Sequence, residues 1–203
     1  MARIGAVVLA AGASSRLGQP KQVLMHRGET LIRRAVAAAS SCDPVVVVAG
    51  RDHLLVAGEL AEFDTHVLHH PEWERGVGSS IRTGVEHAIS LAPDLDALII
   101  LVCDQPYVTE TLVASLVGAY SRGTHSMVAS SYAETFGVPA LFSRALFPKL
   151  LCVEDGKGAR RLFTQSPEDV ALVGFPEGAI DIDTIADVRA HLEQPQPLDG
   201  AHA

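Results

Sequence analysis

Three runs constrain this chain more than any other feature: IGAVVLAA at 4–11, PVVVVA at 44–49 and LDALIILVC at 95–103. Each is short and rich in Val, Ile and Leu. Each is also apolar at both odd and even positions, the third from Ala97 onward, so each reads as a strand covered on both faces. Strands of that kind belong to parallel sheets, where the crossover between neighbours is a helix that covers one face. The intervening segments carry the helical period. Leu31, Ile32, Ala35, Val36 and Ala39 form one stripe within 29–40, and a weaker helix follows at 54–63. Ile81, Val85, Ala88 and Ile89 form a stripe within 79–91, and Leu112, Val113, Leu116 and Val117 another within 109–120. Shorter strands are expected at 66–69, 126–130, 138–142, 170–173 and 180–183, with helices at 158–165 and 185–192. The fold class is therefore α/β, with crossover units around a mostly parallel sheet.

With 203 residues and no long linker, one domain over 1–193 is expected, followed by a tail at 194–203 that carries Pro195, Pro197 and Gly200. Sixteen Lys and Arg against 24 Asp and Glu give a formal net charge of −8, which argues against nucleic acid or an anionic membrane as partner. An anionic ligand must then meet a local basic site. Cys42, Cys103 and Cys152 are too few and too widely spaced for a disulfide framework or a CxxC zinc site, so a reducing cytoplasm is expected. The first apolar run is far short of the ~20 residues that span a bilayer.

In open parallel sheets ligands sit beyond the carboxyl ends of the strands, which directs attention to the loops there. After the first strand, Leu9-Ala10-Ala11-Gly12-Ala13-Ser14-Ser15-Arg16-Leu17-Gly18-Gln19-Pro20-Lys21 combines small residues with two cations. Gly12 and its neighbours let backbone N–H groups approach a ligand, and Arg16 and Lys21 supply charge for a polyphosphate. The loop matches neither the P-loop nor GxGxxG; an ordinary strand-to-helix connection with solvated cations is the alternative. Asp104, in Cys103-Asp104-Gln105-Pro106, either caps the next segment or offers an oxygen to a hard cation such as Mg²⁺. Asp181-Ile182-Asp183-Thr184 places two carboxylates on one face of an extended segment, or caps a helix through Asp183 or Thr184. A phosphatase DxDx[TV] motif would need Thr or Val where Ile185 stands. Gly78, Ser79 and Ser80 open a helix, where free N–H groups and hydroxyls could face a ligand or where Ser79 could serve as a cap. His69 and His70 read as strand-end residues. Lys157, Arg160 and Arg161 surround Gly158 at a further helix start, as an anion clamp or a solvated turn.

Taken together, LAAGASSRLGQPK, DQP and DIDT, in that order, resemble the MobA-like nucleotidyltransferases, and within them the molybdenum cofactor cytidylyltransferases. The resemblance runs from about Ile4 to Leu192. It implies a Rossmann-like three-layer sandwich with one antiparallel strand. The implied activity is transfer of CMP from CTP to the phosphate of molybdopterin, with release of pyrophosphate. By position, the backbone of Leu9, Ala10, Ala11 and Gly12 would hold the nucleotide, Arg16 and Lys21 its triphosphate, and Gly78, Ser79 and Ser80 its base. Asp104 and Asp183, with Asp181 beside them, would hold Mg²⁺, and Lys157 and Arg160 would meet the acceptor. LAAG in place of LAGG leans toward CTP over GTP. A molybdoenzyme or its maturation chaperone would receive the product. Transfer to a sugar phosphate or to methylerythritol phosphate is the alternative within the fold, and a nucleotide-binding module without chemistry the alternative outside it.

Overall fold

The computed structural model describes residues 2–193. Its strands are β1 (Ile4–Ala10), β2 (Met25–His26), β3 (Glu29–Thr30), β4 (Val45–Ala49), β5 (His66–His69), β6 (Ala97–Val102), β7 (Met127–Tyr132), β8 (Thr135–Ser143) and β9 (Val170–Gly174). Its helices are α1 (Leu31–Ala38), α2 (His53–Glu59), α3 (Val77–Leu91), α4 (Glu110–Ser121), α5 (Phe147–Leu150), α6 (Arg160–Gln165) and α7 (Ile185–His191). Seven strands form one sheet in the order β5-β4-β1-β6-β8-β7-β9. Every neighbouring pair is parallel except those of β8, which runs antiparallel to both β6 and β7.

Alternation along β1 divides the core. Ile4, Ala6, Val8 and Ala10 pack with α1, α2 and α4 on one side, while Val7 and Leu9 pack with α3, α5 and α6 on the other. Helix α3 lies close against the sheet because Gly84 has no side chain. A Cβ at that position would stand 2.5 Å from Val7 Cγ1 and 2.8 Å from Val48 Cγ2. A small third cluster, Leu17, Leu24, Leu31 and Ile182, with Val188 and Leu192 against it, ties the loop after β1 to the C-terminal segment.

The expected elements are present; α2 covers His53–Glu59 where 54–63 is expected, and four further differences stand out. Residues 180–183 form no strand: they join no ladder, and Ile182 N instead donates one bond to the Asp104 carbonyl at 2.9 Å. The expected alternation persists without the ladder, since Ile182 is fully buried while Asp181 and Asp183 retain solvent. Helix α1 begins at Leu31 rather than Glu29, because Glu29 and Thr30 pair with Met25 and His26 across a turn with positive φ at Arg27 and Gly28. Helix α3 begins at Val77, so Ser79 is inside its first turn and Gly76 is the cap residue. Strands β7 and β8 extend beyond 126–130 and 138–142 to meet at Ala133 and Glu134, both at positive φ, which suits a tight hairpin turn. The expected tail at 194–203 lies outside the described residues, among which no helix is long and apolar enough to cross a membrane.

The close approach at Gly84 has a measurable consequence. Gly84→Ala drives a methyl into Val7 and Val48, and overpacking of that kind costs about 1–3 kcal/mol. Urea unfolding should show a lower midpoint with an unchanged slope.

Candidate functional site

Strands β1, β4 and β6 all end at one edge of the sheet, and the chain reverses its direction of winding at β1: β4 and β5 lie to one side, β6 to the other. A crevice opens where the winding reverses. The loop leaving β1 is folded over that crevice by its own side chains. Gln22, fully buried, donates to the carbonyls of Ala10 at 2.7 Å and Gly12 at 3.2 Å. Ser14 Oγ accepts from Lys21 N at 2.9 Å, with Ser14 itself at positive φ. These bonds carry the chain around the loop and return Lys21 beneath it.

Lys21 is the centre of the charge arrangement. Its Nζ donates to Asp104 Oδ2 at 2.6 Å and to Asp183 Oδ1 at 2.9 Å, and only 10% of its side chain meets solvent. Burial works against the ammonium, but the adjacent Asp104 carboxylate outweighs it and lifts Lys21 above the ordinary lysine range. Arg16, largely exposed, reaches the other oxygen of Asp183 at 2.7 Å. The Lys21 hydrogen bond holds the Asp183 carboxyl below its usual range, whereas Asp181 moves the opposite way. Partial desolvation of its carboxyl, and then repulsion from Asp104 and Asp183, pushes Asp181 up to about 6. Asp104 caps no helix: α4 is capped by Thr109, and α7 by Thr184 in a box with Asp187.

Beside this cluster is a cavity of about 350 Å³. Leu9, Ala11, Gly12 and Lys21 from the loop after β1 line it with Val102, Cys103 and Asp104 from the end of β6 and with Trp73, Glu74, Gly76, Val77 and Ser80 from the approach to α3 and its first turn. Burial pushes the Cys103 thiol up to about 12, so it serves as an apolar surface. Of the positions singled out in the sequence, Leu9, Ala11, Gly12, Lys21, Ser80 and Asp104 therefore meet at one cavity. Arg16 and Asp183 are joined to it through Lys21, and Asp181 stands within electrostatic reach.

The others do not line it. The Ala10 carbonyl is engaged by Gln22. At Gly78 a Cβ would overlap the Glu154 carbonyl. Ser79 is buried, donating to the Gly76 carbonyl at 2.7 Å and pairing with His70 Nε2 at 2.9 Å. Lys157 lines a different cavity, and Arg160 donates to Thr135 Oγ1 at 2.5 Å. Arg160 nevertheless acts, with Asp181, on the Tyr132 hydroxyl, which places it toward the carboxylates rather than toward Trp73. Sequence reasoning missed Trp73 and Gln22, and the strand-end reading of His70, which directly follows β5, carried no sign of its pairing with Ser79. Trp73 is the only tryptophan of the chain and stands two residues before Arg75 of the helix-opening loop, which was a usable signal; nothing marks His70 apart from its neighbour.

Residues 6–170 match the MobA-like NTP transferase domain. The chain belongs to that family and is a MobA-like nucleotidyltransferase. It is 32% identical to the purine catabolism protein PucB of Bacillus subtilis, over 77% of this chain and 78% of the relative. It is 31% identical to a molybdenum cofactor guanylyltransferase of Sinorhizobium fredii, over 98% and 90%. The crystal structure of Rv0371c from Mycobacterium tuberculosis superposes with a TM-score of 0.82 at 28% identity, covering 95% of this chain and 98% of the other. A second structure of Rv0371c, in complex with manganese, superposes with a TM-score of 0.77 at 25% identity, covering 95% and 100%.

The His70 bond chain yields a pH prediction. The Ser79 hydroxyl donates to the Gly76 carbonyl, so His70 Nε2 donates to Ser79, and His70 Nδ1 pairs with Thr83 Oγ1 at 3.4 Å. Burial lowers its pKa below 6.5. The unfolded chain then binds more protons below that pH, so stability is full above about 6.5 and falls as pH drops below it. Unfolding free energies in the His70→Gln protein should lose part of the acid slope below about pH 6.5.

Proposed function

We propose that the cavity holds a nucleoside triphosphate, with CTP preferred, and that the protein transfers its nucleoside monophosphate to the phosphate of molybdopterin. The observation that carries this reading is the buried Lys21 cation, set between Asp104 and Asp183 at a cavity lined by the Gly12 loop. In a chain with a net charge of −8, it supplies the local positive charge that a polyphosphate requires.

The chemistry brings two anions together. An acceptor phosphate oxygen forms a bond to the α-phosphorus, the bond from that phosphorus to the β-bridging oxygen breaks, and pyrophosphate departs with the electron pair. No general base is needed, because a phosphate monoester is largely ionised near neutral pH, its second pKa being about 6. The protein's task is positioning and charge stabilisation. Lys21 and Arg16 lie where the departing pyrophosphate gathers charge. The Gly12 loop admits the phosphates to the backbone, and Ser80, Val77 and Trp73 face the nucleoside. Arg160, with Tyr132 and Thr135, lies on the side from which the acceptor approaches.

The donor set also fits a divalent metal. Asp104 and Asp183 present hard oxygens to either side of the Lys21 ammonium, and Asp181, raised first by desolvation and then by repulsion from these two carboxylates, stands within their electrostatic reach. Among the described residues no group of three or more His, Cys, Asp or Glu side chains is placed to hold a metal, so an ion here would rest on two carboxylates together with phosphate oxygens and water, a mode of binding that Mg²⁺ commonly uses. Asp104 and Asp183 would hold the ion, with Asp181 beside them. Bound there, it would neutralise phosphate charge and make the α-phosphorus more electrophilic. The manganese complex of Rv0371c supports a divalent ion.

The base preference rests on Ala11, where the guanylyltransferase pattern has Gly, and on Ser80, the one residue of the Gly78-Ser79-Ser80 segment that lines the cavity. GTP is the second reading, favoured by the 31% identity to a guanylyltransferase. Pyrophosphate release measured with CTP, GTP, UTP and ATP separately, with and without molybdenum-loaded molybdopterin and with Mg²⁺, decides between them. Release with CTP only in the presence of acceptor is expected; release with GTP alone reverses the base assignment, and no release with any nucleotide overturns the reading. Asp104→Ala should lower turnover on the order of a thousandfold, as loss of one electrostatic transition-state contact does elsewhere. Near-wild-type turnover in that variant would remove Asp104 from the mechanism.

A further inference from the structure

The loop at 154–158 separates the proposed nucleotide cavity from a second one of about 350 Å³. The two cavities share no lining residue. Lys149, Lys157 and Arg161 contribute three cations to the second, against the single carboxylate of Glu154. Arg161 is paired with Glu154 at 2.8 Å, whereas the side chains of Lys149 and Lys157 form no hydrogen bond or ion pair with other described residues. Val153 and Leu162 supply an apolar surface between them. Two unpaired ammonium groups beside an apolar wall, in a protein of strong negative charge, form a site for an anion with an apolar body.

The placement of that site says what binding would do. Its wall residues Val153, Glu154 and Lys157 carry the opposite side of the loop that meets the start of α3. Backbone atoms of residues 154–157 lie so close to Gly76 and Gly78 that neither could carry a side chain without overlap or a tight contact. Arg75 Nε donates to Asp155 Oδ2 at 2.9 Å, and Arg82 donates to Asp155 and to the Val153 carbonyl. A ligand that fixes this loop therefore fixes Gly76 and Val77, which line the other cavity.

We infer that the second cavity is an effector site for a small phosphate ester with an apolar body, coupled through the 154–158 loop to the nucleotide wall. The phosphate lies between Lys149 and Lys157, and the apolar part against Val153 and Leu162. This is not the place of reaction, because Lys21 and Asp104 belong to the other cavity.

Cys152 makes the site directly testable. It is exposed and lines the second cavity, whereas Cys42 and Cys103 are buried, so a neutral alkylating agent such as N-ethylmaleimide reports on Cys152. Phenyl phosphate is the probe, with inorganic phosphate and phenol as its two halves. The expected result is saturable slowing of Cys152 alkylation by phenyl phosphate, weaker with either half, lost in a Lys149→Ala/Lys157→Ala protein and retained in Lys21→Met. Bound phenyl phosphate should also shift the dissociation constant for CTP by about fivefold or more, and CTP should shift phenyl phosphate binding by the same factor. Absence of saturable protection, or its loss in Lys21→Met, would overturn the site. Protection with an unchanged CTP affinity would overturn the coupling. The alkylation result does not depend on which nucleotide the protein uses.

Discussion

Lys21 places one ammonium between carboxylates that come from 83 and 162 residues further along the chain. A buried lysine without partners would shed its proton, and two unneutralised carboxylates at this spacing would repel. The Lys21 ammonium keeps its proton in this place because the carboxylates stand beside it. The arrangement therefore depends on three segments reaching one point: the loop after β1, the end of β6 and the extended stretch before α7. The sheet delivers the first two, since β1 and β6 are adjacent and parallel. The third is delivered by apolar packing, with Ile182 buried among Leu17, Leu24 and Leu31, and by the single bond from Ile182 N to the Asp104 carbonyl.

That dependence also explains how such a site can respond to a ligand. The cluster includes two cations and three carboxylates, and Asp181, partly desolvated and facing Asp104 and Asp183, is pushed up to about 6. On the proposed reading, a divalent ion at Asp104 and Asp183 would take over the neutralising part now played by Lys21, leaving that ammonium to meet the triphosphate. In the outer wall, Asp155 joins Arg75 and Arg82 and so fastens the 154–158 loop to the start of α3.

Much of this was legible in the sequence, because the features concerned are local. Two-sided apolar runs mark β1, β4 and β6, and small residues followed by Lys21 mark the loop whose backbone must come close to a ligand. Asp181 and Asp183 were readable from alternation even though the expected strand is absent, since Ile182 between them needs burial whether or not a ladder forms. What stayed hidden depends on pairing across long separations. Ser79 looks like a ligand-facing hydroxyl until His70 is found against it, and Lys157 looks like a partner of Arg160 until the loop turns the two toward different surroundings. Gln22 has no motif of its own; its amide matters because the carbonyls of Ala10 and Gly12 come within its reach.

Trp73, the only tryptophan, lines the same cavity as Gly12 and Lys21, so the protein carries a single tryptophan emitter at the point in question. Its fluorescence, followed during titration with CTP and Mg²⁺ in the wild-type and Lys21→Met proteins, is the most direct measurement of where the nucleotide sits. A saturable change in the wild type, shifted to much higher CTP in Lys21→Met, is the predicted result. CTP binding that calorimetry detects but that leaves Trp73 emission unaltered, or that is indifferent to Lys21→Met, would contradict it.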